Sequence, residues 1–198
     1  MRKRITIDVL SKLAILVVFL TLAATDTGFA ADAIEVIDAT AFGTSTQLGK
    51  TINIKLLIYQ YSTPEDKKVL MDAFLTGQNQ GLVKALEKMK AVGRIQIPGT
   101  LGYDVAYIVS VPTATGRLIR FVTNRKISFG EAYRNTPSQA YNLTGGQIDI
   151  NDQDKSKSAG VLYPAAQLVI NADGDLQIEL RKNPWRLANI IVRGKEKE

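Results

Sequence analysis

The sequence predicts an α+β domain: a mainly antiparallel curved sheet, or partial β-barrel, with an inserted helical hairpin at about 64–92. Three observations predict it. Two runs rich in β-branched and aromatic residues, 33–43 and 50–61, open the folded part. A stretch with helical spacing follows, from Pro64 to about residue 92. From residue 93 onward the pattern returns to short strands and stays there.

What precedes the first strand reads as an export signal at 1–30. Arg2, Lys3 and Arg4 form a positive start, an apolar run spans Leu13 to Ala24, and Gly28-Phe29-Ala30 offers small residues for cleavage. The apolar run would cover about 18 Å as a helix, short of the ~30 Å hydrocarbon core, so cleavage is expected rather than a stable membrane span. The remainder, 31–198, is expected to form one β-rich domain, periplasmic or extracellular. Its charge is only mildly basic, because the net +6 of the whole chain includes Arg2, Lys3, Arg4 and Lys12 of the signal.

In the first pair of strands, Ile52, Ile54, Leu56 and Ile58 alternate with Asn53, Lys55, Leu57 and Tyr59, a period of two. The link TSTQLG reads as a hairpin loop. Thr63-Pro64-Glu65-Asp66 is a helix start, with Thr63 as cap, Pro64 at the first helical position and Asp66 where a capping box places its acid. Val69, Leu70, Ala73 and Phe74 follow at helical spacing. Gly77 is expected to end that helix, and Leu82, Val83, Leu86 and Met89 to form a second one.

The later strands are expected at 94–97, 103–111, 117–125, 127–133, 147–151, 159–170, 175–181 and 185–193, with Gly145-Gly146 read as a loop. One register can be argued, and the 103–125 hairpin is less clean. Around Asp173-Gly174, pairing Ile170 with Leu176, Leu168 with Ile178 and Ala166 with Leu180 segregates apolar from polar residues, with Gly174 left-handed in a bulge. In the 103–125 hairpin, a loop at 112–116 pairs Val111 with Arg117, Val109 with Ile119 and Tyr107 with Phe121. The opposite side then carries Ala106, Ile108, Leu118 and Val122 with Arg120. Both faces are partly apolar, so the helical pair is expected to cover the second.

The chain has no cysteine and no histidine, which removes disulfides, thiol nucleophiles and every triad with an imidazole base. No nucleophile elbow and no phosphate loop occurs. The sequence therefore favours a non-enzymatic protein without deciding the matter, and no cofactor is expected. Asp104, Glu131 and Asp149 are candidates for a two-carboxylate hydrolase, a pattern with little specificity. The Asp/Asn-rich stretches 149–154 and 171–175 resemble pieces of calcium loops but read better as turns, so no metal is expected. Nucleic-acid binding is not expected either, because alternation splits Arg117, Arg120, Arg125 and Lys126 between faces.

Arg120, on the covered face, needs a partner, and Glu131 of the next strand is the nearest acid. That pairing is either structural or part of an anion-recognition cleft with Tyr107 and Tyr133. The leading expectation is a small-molecule or lipid-like ligand held between sheet and helical hairpin by Arg120, Tyr107, Glu131 and Tyr133. The alternatives are an envelope hydrolase using paired carboxylates and a protein-interaction module docking through a sheet edge.

The runs LGYDVAYIVSVPTATGRLIRFVTNRKISFGE (101–131), SAGVLYPAAQLVINADGDLQIEL and NPWRLANI carry a Gly-Tyr-Asp strand, a Gly-Arg-hydrophobic-Arg strand, a Gly-Glu turn, a Pro-Ala-Ala segment and a closing Arg-Leu-x-Asn. In these the chain resembles an uncharacterised family of exported bacterial proteins with no assigned activity. The resemblance spans most of 33–192. It implies bacterial export and a single domain, and it assigns no role to any residue.

Overall fold

The computed structural model describes residues 33–125, 143–170, 176–180 and 184–194. The expected signal at 1–30 and strand at 127–133 lie outside the described residues.

Alternation builds the sheet. In β1 (Glu35–Phe42), Glu35, Ile37, Ala39 and Ala41 are buried while their neighbours are not. In β2 (Thr51–Ile58), Ile54, Leu56 and Ile58 are buried, the period-two face read from the sequence. β3 (Gly93–Gln96), β4 (Tyr103–Pro112), β5 (Gly116–Thr123), β6 (Leu143–Asn151) and β7 (Ala159–Ile170) continue the meander, each antiparallel to the one before. β9 (Trp185–Gly194) then inserts between β7 and β1. Eight strands therefore close into an antiparallel barrel. β8 (Leu176–Leu180) stays outside the ring, paired only with the far end of β7.

The interior is apolar. Ile37, Leu56, Ile58, Ile95, Ile108, Ile119, Phe121 and Ile148 are all at most 1% exposed and pack into one cluster with Trp185 and Leu187. Two glycine positions make this packing fit. A Cβ on Gly146 would lie 2.2 Å from the Phe121 ring, and one on Gly93 would lie 2.6 Å from the Ile108 side chain. Gly145 and Gly146, expected to form a loop, are strand residues for this reason: Gly146 pairs with Phe121 and yields it the room a side chain would occupy.

The fold class needs correction. The protein is mostly β, a closed barrel with one helix, and not an α+β sheet with a helical hairpin. Helix α1 (Pro64–Lys88) starts as expected: the Thr63 hydroxyl accepts from the Asp66 backbone N–H at 3.2 Å, and the Asp66 carboxylate accepts from the Thr63 N–H at 2.8 Å. Instead of two helices separated by a loop at Gly77, one element of 25 residues forms, with a kink at Gln78 (φ 47°, ψ −140°) where two helical segments join. Across this break Gly81 lies so near the Ala73 carbonyl that a Cβ would sit 2.1 Å from its oxygen. The helix covers the outer face of the barrel, where Leu70, Leu82 and Leu86 pack on Ala106 and Tyr107 of β4, Val122 of β5 and Leu143 of β6.

Register decides which residues that outer face carries. The β7–β8 pairing is the one argued from sequence, Ile170 with Leu176 and Leu168 with Ile178. The β4–β5 pairing is not. Thr113 N–H bonds the Gly116 carbonyl, which shortens the loop, and Pro112 pairs with Arg117, Val109 with Arg120, Ile108 with Phe121 and Tyr107 with Val122. An irregularity between Val105 and Tyr107 keeps both Val105 and Ile108 inside. Because Ile108 and Val109 are both apolar, the pattern of the strand alone does not choose between the two registers.

Candidate functional site

Of the four residues expected to hold a ligand, Tyr107 and Arg120 lie within the described residues. Tyr107 and Arg120 share the outer face, but Tyr107 is 7% exposed beneath α1, within the cluster of Leu70, Leu82 and Leu86. The space expected to be a cleft between sheet and helix is filled by these side chains. Arg120 is half-buried on the same face and forms no ion pair among the described residues. Glu131 and Tyr133 lie outside the described residues. Of the other candidate acids, Asp104 bonds Arg94 at 3.1 Å and Asp149 is exposed on the outer face.

The polar centre that does form sits at one mouth of the barrel and combines Glu35, Tyr61 and Arg117. Glu35 begins β1 and follows its inward alternation, Tyr61 lies midway along the link from β2 to α1, and Arg117 is the second residue of β5. The Tyr61 hydroxyl donates to Glu35 Oε2 at 2.6 Å. The Arg117 guanidinium donates to the same oxygen at 3.1 Å and to Glu35 Oε1, a two-pronged grip on a carboxylate that is 8% exposed. Burial, then the bond to Glu35 and its charge, push the Tyr61 phenol far above its ordinary range. Burial alone would lower the Arg117 value, but the Glu35 bond and charge outweigh it and raise it.

This arrangement is a clasp, in which both carboxylate oxygens of Glu35 are engaged by donors. No group of three or more acidic residues that could hold a metal occurs among the described residues. The sequence marks Arg117 as one of a basic set and as a hairpin residue opposite Val111, and gives Glu35 and Tyr61 no role. The signal available was an acid at an inward position of β1, which demands a cation from another strand.

The second feature is a gap in the barrel wall. β9 pairs with β1 as far as Gly194, yet β7 covers it only at Trp185, Arg186 and Leu187. Beyond that, among the described residues, 188–194 have no strand on their second side. The comparable overhang of β4 past β3 is covered: Ser62 N–H bonds the Ile108 carbonyl at 2.7 Å and Ser62 Oγ accepts from the Ile108 N–H.

Beside the uncovered edge lies a groove of about 380 Å³, lined by Lys155, Ser156, Ser158, Asn189, Ile190 and Ile191. Its far wall is the β6–β7 turn, which is locked by its own side chains. Asn151 Oδ1 accepts from the Asp154 N–H at 2.8 Å, Asp154 Oδ1 accepts from the Ser156 hydroxyl at 2.6 Å, and Asp154 pairs with Lys157. The Ser156 hydroxyl and then its backbone N–H hold the Asp154 carboxyl below its ordinary value. These bonds are the turn use expected of the 149–154 stretch. The floor is shaped by Asn189 (φ 53°), which with Ile190 opposes a single residue of β1 in a bulge. Compared with known proteins, the chain matches no family model, no curated protein and no solved structure.

Proposed function

We propose that this is an exported bacterial protein without enzymatic activity that works by docking another protein along the free edge of β9. The observation that carries the reading is the overhang 188–194, which among the described residues has no strand on its second side and which borders a groove at Asn189, Ile190 and Ile191. Unpaired strand edges recruit extended segments, because main-chain hydrogen bonds supply affinity without demanding one particular sequence.

Export rests on the N-terminal sequence pattern and on the resemblance to exported bacterial proteins. The distribution of polarity agrees with a barrel that stands in water: apolar residues fill the inside, while Asp38, Lys55, Arg94, Asp104, Asp149, Arg186 and Arg193 decorate the outside. A membrane-spanning barrel shows the reverse pattern. The small-ligand reading loses its expected cleft, which is filled by Tyr107 and the leucines of α1.

Hydrogen exchange tests the reading. The purified protein is mixed with the proteins of the exported fraction of its source, and exchange is followed along the chain. Protection confined to 188–194 is the expected result. Protection elsewhere only, or none at all, overturns it.

A further inference from the structure

Resting on that reading, we propose that the β9 groove selects an extended peptide of another protein that carries a carboxylate side chain, laid antiparallel to β9 along the line β7 would have continued. The direction follows from the sheet: both strands that flank β9 run antiparallel to it, and β7 starts only at Ala159. The charge follows from the lining. Lys155 is the only charged side chain among the six lining residues, and no carboxylate pairs with it among the described residues. Its neighbours Asp154 and Lys157 satisfy each other at 3.4 Å.

A carboxylate arriving on an extended backbone would therefore meet an unspent ammonium group. Ile191, 55% exposed, offers an apolar surface to an alternate side chain of the same segment. The same charge argues against a second copy of this chain as occupant. Pairing two β9 edges would bring the Lys155 of each protomer to one seam, where like charges repel. The bulge at Asn189 further spoils a flat edge-to-edge match.

The probes are two hexapeptides, acetylated and amidated, one alternating valine with glutamate and one alternating valine with lysine. The readout is amide exchange at 188–194 in the whole protein. At a peptide concentration about ten times its dissociation constant, exchange slows about tenfold with the glutamate peptide and is unchanged with the lysine peptide. Lys155→Glu, an exposed substitution, reverses that preference. Equal protection by both peptides overturns the carboxylate selection while leaving the edge reading standing. Protection by neither peptide, with protection by the exported fraction, does the same. Protection by neither peptide nor fraction overturns both. Protection that grows with protein concentration alone makes a second copy the occupant and overturns the inference.

Discussion

Arg117 and Glu35 lie 82 residues apart in the chain and meet across the mouth of the barrel, with the Tyr61 hydroxyl completing the contact. The clasp joins β5 to β1 through the interior, although four strand pairings separate the two strands around the wall on the β4 side. It holds the mouth in one geometry.

Breaking the clasp from one side strands a buried carboxylate. Arg117→Met is expected to cost about 2 kcal/mol, less than a fully buried pair would lose, because the Arg117 side chain is 30% exposed. Removing both charges, as Glu35→Gln with Arg117→Met, costs less than Arg117→Met alone. Urea unfolding of the three variants checks the order, and an unchanged midpoint for Arg117→Met would refute the clasp.

Tyr61 makes stability fall at alkaline pH. Its phenol is harder to ionise in the folded protein than in the unfolded chain, first because of burial and then because of Glu35. The folded state therefore keeps a proton that the unfolded chain releases. This contribution is whole below about pH 10 and is lost as pH climbs above it. Tyr61→Phe removes it, so the stability of the variant declines less steeply between pH 10 and 11, measured by denaturant titration at each pH.

Gly146 is expected to tolerate no side chain. Gly146→Ala drives a methyl group into the Phe121 ring and costs about 2 kcal/mol. Phe121→Leu in the same chain vacates that space, so the pair falls short of the sum of the single losses. Thermal melts of the single and double variants read this coupling, and strict additivity would contradict it.

The two glycines of α1 should respond in opposite directions. Nothing lies within 4 Å of a Cβ at Gly77, so Gly77→Ala gains about 1 kcal/mol of helix propensity. At Gly81 the new Cβ would meet the Ala73 carbonyl oxygen at 2.1 Å, so Gly81→Ala destabilises. A gain in both melting temperatures would mean that the break at Gln78 does not bring these turns together.

Much of the local structure was legible in the sequence because its causes are local. The capping box at Thr63 and Asp66 needs only four residues, and the β7–β8 register follows from which residues alternate on either side of Asp173-Gly174. The inward stripe Ile54, Leu56, Ile58 is visible in β2 alone. The candidate site was less legible. The irregularity after Val105 and the short turn at Thr113 shift the register by one, which moves Tyr107 from the side of Phe121 to that of Arg120 and Val122, where α1 buries it.

By itself, then, the sequence determined the strand periodicity, the helix start, and the lack of any imidazole or thiol chemistry. Tertiary structure alone decided that the sheet closes, that α1 continues beyond a kink at Gln78, that Glu35 finds Arg117, and that among the described residues no strand pairs with the second side of β9 beyond Leu187. The physical reason is range. Alternation and caps are fixed by neighbours within a few residues, whereas closure, bulges and cross-barrel ion pairs depend on strands far apart in the chain, whose mutual register no single segment encodes.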